Sequence, residues 1–419
     1  MRTRALQSKR RNQSVIFVAA LAALGGATMP CRADVITDWD ERATAVASSS
    51  ALGERELAIV DIAMFDAVNS VVHRYRPYIV REDGVGSASP EAAAASAAAT
   101  ALTKLHPESS GQFSDALAGT LVGLSAAPAE VAAGVSLGER VALRIVAARS
   151  ADGATGGDLY RPRTRPGIYV ATTPMVQPSW PNVPPFVLAR CDQFRPGPPV
   201  ALGSAAWAAD YNEVKTFGAL GSVARTAAQT EAAHFWLMRG PPAYHPVARQ
   251  IDVARHLDLI DSARWMAMAS AALTDAYIAV FDAKYHYEFW RPVTAIRNGD
   301  IDGNPATTIE PGWQPMEPTP MHPEYPCAHC IESATLAALV AATGGLPPGM
   351  AITLTSPSAP GVTHRWTSLE AMTEEVANAR VWAGFHFRSS ARVGDSMGEQ
   401  VGHYVAAHFA QLESRTGRP

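Results

Sequence analysis

Apolar residues recur at three- and four-residue spacing through most of the chain. In RELAIVDIAMFDAVNSVVHRY, residues Leu57, Val60, Ile62, Met64, Phe65, Val68 and Val71 repeat in the way expected of a helix laid on a core. SPEAAAASAAATALTKLHP offers Ser89 as an N-cap and Pro90 in the first turn, followed by strong helix formers. SAAPAEVAAGVSLGERVALRIVAARSADG reads as another long helix closing in a turn. Small residues dominate these segments, which predicts close helix–helix packing there rather than a ligand.

Residues 153–200 break the pattern. Proline is so frequent there that the segment must be mostly irregular, and an irregular stretch of that length is either functional or wraps the core. Helical spacing resumes over 204–216, 226–238 and 246–287. After a second proline-rich stretch, 305–326, it returns over 331–343, 368–386 and 389–412. Strand alternation is almost absent. The expected fold class is all-α: helical bundles with proline-rich loops, forming one unit over 34–419. Residues 34–200 supply the first helices and the long loop, and 201–419 the helices that carry the chemistry.

Composition agrees with a folded chain, at 47% apolar and 18% charged residues. Residues 1–33 begin basic, run apolar from Val15 to about Ala27 and reach a small residue at Ala33, as a secretory signal peptide does. The apolar run is shorter than the roughly 20 residues of a membrane span. Cleavage near Ala33 and a secreted or periplasmic product are therefore expected. Cleavage removes six basic residues and no acidic ones, leaving 29 basic against 39 acidic side chains and a net charge near −10. That balance speaks against a nucleic-acid partner. No other segment reads as long and apolar enough to span a bilayer. Cys31 leaves with the leader, so Cys191, Cys327 and Cys330 remain, with at most one disulfide among them. The oligomeric state stays open.

Three segments of the second half carry chemistry: KYHYEFWRP, MHPEYPCAHC and ARVWAGFHF. Six residues separate Lys284 from Arg291, close to two helical turns, so both are expected on one helix face that Pro292 ends or bends. His329 follows a Pro-Cys-Ala turn and opens a helix whose first N–H groups are free for an anion. Arg380 and His386 have five residues between them, again close to two turns. Singly, a Lys and an Arg on one helix are most often a solvated or salt-bridged surface, and a histidine is most often structural. Together, two arginines, a lysine, two histidines and a helix N-terminus describe an oxyanion cradle. His286 reads as structural, and Glu288 as a partner of Lys284 or Arg291.

These blocks, Lys284-x6-Arg291-Pro292, Pro326-Cys327-Ala328-His329 and Arg380-x5-His386, resemble the signature of the vanadium-dependent haloperoxidases and the acid and phosphatidic acid phosphatases of the same superfamily. EFWRP, HPEYP and IAMFDAVNS look more like the haloperoxidase branch, and the likeness covers roughly residues 50–410. The resemblance implies that Lys284, Arg291, Arg380 and the N–H of Ala328 bind the oxygens of one vanadate per chain. It makes His386 the ligand to vanadium and His329 the acid–base residue, with Lys284 polarising the peroxide; hydrogen peroxide then oxidises a halide. In a phosphatase the anion is phosphate, His386 attacks phosphorus of a phosphate ester and His329 protonates the leaving group. His322 is similar in position to a second active-site histidine of bromoperoxidases, which favours bromide or iodide as the halide.

Two positions depart from the pattern: Cys327 stands for the usual serine and Ala328 for the usual glycine. A thiol is a weaker donor than a hydroxyl, and beside activated peroxide it is open to oxidation. That leaves three alternatives. Cys327 is held in a disulfide with Cys191 or Cys330, it packs as a small substitute for serine, or peroxidase turnover is not the main activity.

Overall fold

Local capping sets the helices. The computed structural model describes residues 34–157, 160–161, 163–171 and 175–411; the expected signal peptide lies outside them. The carboxylate of Asp34 accepts the N–H groups of Ile36 and Thr37 and starts α1 (Val35–Val46). Next come α2 (Ala51–Val72) and α3 (Pro90–Leu105), the latter capped by Ser89 as its sequence predicts. They are followed by α4 (Ser110–Val122) and α5 (Pro128–Arg149). After the long loop stand α6 (Ala205–Phe217), α7 (Ala227–Phe235) and α8 (Pro241–Arg255). The second half continues with α9 (Leu259–Tyr287), α10 (Pro292–Arg297), α11 (Ala328–Ala342), α12 (Leu369–Trp382) and α13 (Arg388–His408). Among the described residues the fold is all-α apart from one antiparallel hairpin, β1 (Ile352–Ser356) and β2 (Ala359–Trp366). Its first strand alternates buried and exposed residues over only five positions, too short a run to stand out in the sequence.

The single helix expected over 246–287 is two. His256 turns left-handed at φ 51°, and the Asp258 side chain caps α9 through the N–H of Asp261. α9 is the central element, buried from Met266 through Lys284 and packed on α2, α8, α11 and α13. It is long and apolar enough to cross a membrane, contrary to the expectation that no such segment remained. Its most apolar stretch is wholly buried inside the protein, under the helices packed around it.

Among its described residues, the loop of 153–200 contains one short 3-10 turn, Trp180–Asn182, and wraps the core. Buried Asp275 of α9 anchors it by accepting the N–H groups of Phe186 (2.6 Å), Val187 (2.7 Å) and Leu188 (2.8 Å). The loop also reaches the strand-like residues after α9, where Tyr169 N–H donates to the Glu288 carbonyl and Trp290 N–H to that of Gly167.

α11 and α13 approach through glycine. A Cβ at Gly394, Gly398 or Gly402 would overlap the carbonyl oxygen of Cys327, Ile331 or Thr335 respectively. This contact draws the start of α11, with Cys327 to His329, against the start of α13, which comes just after His386.

Candidate active site

Four chain segments converge on one buried site. The first is the end of α9. Glu288 takes a left-handed conformation (φ 50°) and closes the helix, so Arg291 is not on α9 but caps α10, with Pro292 in that helix's first turn. Lys284 and Arg291 thus reach the site from a helix and from the extended residues beyond it, rather than from one helical face. The expectation took the spacing for unbroken helix and missed the stop at Glu288. Glu288 itself pairs with Arg163 of the long loop, not with Lys284 or Arg291. His286 is exposed.

The second segment is 322–330. Tyr325–Pro326 is cis, and Cys327 caps α11, its Sγ accepting the N–H of Cys330. Cys327 and Cys330 form a disulfide, and Cys191 is free. Of the three alternatives for Cys327, the structure shows the protected one with Cys330 as partner. A disulfide sulfur carries no hydrogen, so the donor that serine would offer is missing here.

The third segment links α12 to α13. Gly384, at φ 79°, ends α12 in the left-handed turn that glycine adopts without strain, and the N–H groups of Phe385 and His386 fold back onto the Arg380 carbonyl. His386 therefore lies in a loop, not two turns further along the helix from Arg380. The fourth segment, after α7, supplies carbonyls from Trp236 and Met238.

Side-chain contacts sort the expected residues. Lys284 is fully buried, and its ammonium donates to the carbonyls of Pro323 (3.0 Å), Glu324 (2.7 Å) and Pro326. All three of its N–H donors are on backbone oxygens, so Lys284 grips the 323–326 segment from beneath. Arg291 donates through Nε to the His322 carbonyl (2.9 Å) and through Nη1 to the Phe385 carbonyl (2.9 Å) and His386 Nε2 (3.2 Å). Its Nη2 lies 3.0 Å from Nδ1 of His322, whose ring stands edge-on to Phe281. Arg380 donates through Nη1 to the Trp236 carbonyl at 2.6 Å and lies over the Phe385 ring, while its Nε is buried with no partner. His329 Nε2 lies 3.0 Å from the Met238 carbonyl, a contact that places its hydrogen there and leaves the Nδ1 lone pair free.

One residue escaped the sequence reading. Glu324, fully buried, accepts from His386 Nδ1 at 2.7 Å and from the Phe387 N–H at 3.1 Å through the same oxygen, Oε1. Its only sequence signal is being the lone carboxylate in HPEYP, amid residues otherwise cationic or apolar.

Electrostatics make the site a demand for negative charge. Burial, then mutual repulsion, pulls Arg380 down to about 9, and burial pulls Arg291 down to about 10. Lys284 is pushed well below the ordinary lysine range by burial and by Arg291. Burial and the same cations hold His386 and His329 well below the usual histidine range, so both rings are neutral. Burial raises Glu324 to about 7 although Lys284 and Arg291 draw it down. Three cations thus face one carboxyl in a space closed to water. An orphaned guanidinium N–H, the first two N–H groups of α11, at Ala328 and His329, and an inward lone pair on His386 Nε2 are what a tetrahedral oxyanion such as vanadate needs. The donor set fits that group.

Comparison with known proteins bears on which chemistry this is. The family model for the VCPO second helical-bundle domain matches residues 264–414. A vanadium chloroperoxidase from Curvularia inaequalis is 28% identical over 173 residues, a stretch that takes in 33% of this chain and only 28% of that relative's length. Among solved structures, a bacterial vanadium-dependent iodoperoxidase superposes with a TM-score of 0.76 at 21% identity, covering 93% of this chain and 100% of that one. The apo and holo forms of a bacterial vanadium-dependent chloroperoxidase superpose with a TM-score of 0.70 at 17% and 18% identity, covering 85% and 88% of this chain and 92% and 95% of theirs. At these identities the superpositions establish the fold.

Proposed function

We propose, from the premise that residues 264–414 are a VCPO second helical-bundle domain in a chain folded like the vanadium haloperoxidases, that the protein oxidises halide with hydrogen peroxide at a vanadate held by His386. The observation that carries the reading is the His386 ring. Its Nδ1 is tied to Glu324, and its Nε2 lone pair faces a pocket of buried cations with a guanidinium N–H to spare. Bound vanadate supplies a centre that activates peroxide without changing its own oxidation state.

The chain's own residues do the rest. Arg291 and Arg380 hold the oxyanion, Arg380 through the Nε that otherwise has no acceptor. Lys284 contributes charge, and it fixes the backbone from Pro323 to Pro326 so that the N–H of Ala328 opens toward the anion. His329, anchored through Nε2 on Met238, presents Nδ1 as the base that takes a proton from incoming peroxide and returns it later. The disulfide keeps the sulfur of Cys327 out of the thiol form that peroxide would oxidise. We propose bromide or iodide as the halide, because His322, similar in position to a second active-site histidine of bromoperoxidases, lies against Arg291 Nη2 at 3.0 Å beside the anion site. Export after cleavage near Ala33 accords with that disulfide, and the mass of the mature protein tests it.

The deciding experiment measures halogenation of a phenolic indicator with peroxide and bromide or iodide, before and after orthovanadate, beside hydrolysis of an aryl phosphate. Halogenation that appears only with vanadate, with no phosphate hydrolysis, is expected. Phosphate hydrolysis that vanadate inhibits, without halogenation, overturns the reading and makes the site a phosphatase. His386→Ala abolishes turnover in either case, whereas His329→Ala keeps anion binding and loses turnover.

A further inference from the structure

We infer that Glu324 is a positioning residue that sets the tautomer of His386, fixing the lone pair on Nε2 where the oxyanion is anchored. The inference rests on the reading of His386 as that anchor, and the geometry that carries it is independent of any bound group.

A neutral imidazole has one N–H and one lone pair, and whatever holds the N–H decides where the lone pair points. Here Glu324 Oε1 stands 2.7 Å from Nδ1 and also receives the Phe387 N–H at 3.1 Å. An oxygen accepting two N–H bonds has no reason to carry a proton, so the hydrogen of the contact belongs to Nδ1. On the other side of the ring Arg291 Nη1, a donor only, lies 3.2 Å from Nε2. Both neighbours therefore specify the same tautomer. A ring flipped to the other tautomer would set two donors against each other at Nε2 and lone pair against lone pair at Nδ1.

Glu324 is in turn held at both ends of its own backbone. Its N–H donates to the Phe289 carbonyl at 2.9 Å, and its carbonyl accepts from Lys284 at 2.7 Å. A residue pinned through its backbone to the Lys284–Arg291 block thus grips, through its side chain, the first residues after α12, and so joins two of the three signature segments. Carboxylates that hold a ligating histidine from behind typically change the affinity for the bound centre about 10- to 100-fold when removed.

Two variants of the mature protein test the inference. Glu324→Ala removes the acceptor, while Glu324→Gln keeps a carbonyl oxygen in its place. Long-range proton–nitrogen spectra of the histidine rings, assigned with His386→Ala, report which ring nitrogen carries hydrogen without any vanadate present. Wild type and Glu324→Gln should show His386 protonated on Nδ1, and Glu324→Ala should show a substantial fraction on Nε2. Orthovanadate affinity, measured by calorimetry, should fall about 10- to 100-fold in Glu324→Ala and recover to within several-fold of wild type in Glu324→Gln. An unchanged tautomer in Glu324→Ala overturns the inference. If that variant does not fold, hydrogen on Nε2 of His386 in wild type or in Glu324→Gln overturns it equally. Failure of wild type to bind orthovanadate overturns the proposed function instead, and the ring spectra still decide the part played by Glu324.

Discussion

A second set of buried charges is spread over the first helices and α8. His245 is fully buried between two carboxylates, Nδ1 at 2.6 Å from Asp40 and Nε2 at 3.0 Å from Glu54, and Arg249 also pairs with Asp40. Burial alone would lower its pKa, but the two carboxylates push it up to about 10. Neighbouring Asp61 is also pushed up, well above the carboxylate range, by burial and by Asp40. Since the folded value for His245 exceeds the unfolded one near 6.5, its stabilisation is complete below that pH and is lost as pH rises toward 10. His245→Gln should destabilise the protein by about 3–5 kcal/mol at pH 6, as expected when one member of a buried ion pair is removed. Denaturant titrations at several pH values check this: the gap between wild type and variant should narrow from pH 7 to 10, and a constant gap would mean a neutral imidazole. In the sequence, His245 falls just before the helix expected from 246 and carries no signal that sets it apart from other histidines. Its two partners are 205 and 191 residues away, and no local spacing encodes such a contact.

Helix positions were readable because capping and apolar spacing are local, and helix ends were not. Ser89 and the stripe from Leu57 to Val71 predicted α3 and α2 correctly. The spacing of Lys284 and Arg291, and of Arg380 and His386, was equally visible but was read as helix in both cases. Left-handed stops at Glu288 and Gly384 interrupt it. Gly384 is an ordinary stop signal and could have been weighed as one. Glu288 could not, because its conformation is imposed by the pairing of Glu288 and Trp290 with the distant long loop. The glycine seam of α11 and α13 allows a test at this scale. Gly398→Ala would press a methyl group into the Ile331 carbonyl and the Ala334 side chain. The helices must then separate, at a cost of about 1–3 kcal/mol. That shift moves the start of α11 away from His386, so Gly398→Ala, which touches no site residue, should weaken orthovanadate binding as well as lower the melting temperature. If stability fell while affinity stayed unchanged, the seam would have no part in setting the cradle.

At the scale of the whole molecule, α9 is shared property. Its body is covered by α2 on one side and by α11 and α13 on the other, and its last buried residue is Lys284 of the site. The helices of 34–200, which carry no site residue, therefore complete the burial on which the site depends. Without that closure the pocket would take up water, the cations would regain ordinary solvation, and the drive to collect an oxyanion would fade. The described residues, from 34 to 411, should accordingly unfold as one unit rather than as two halves. Calorimetry of the purified protein should give a single endotherm whose calorimetric and van't Hoff enthalpies agree. Orthovanadate at about a hundred times its dissociation constant should stabilise the entire transition by about 2.7 kcal/mol. Arg380→Ala should keep the single endotherm and lose most of the shift, because it removes a holder of the anion and leaves the contacts of α9 in place. Two separate endotherms, with only the later one moved by vanadate, would show instead that the second half closes its site alone and that the first helices merely accompany it.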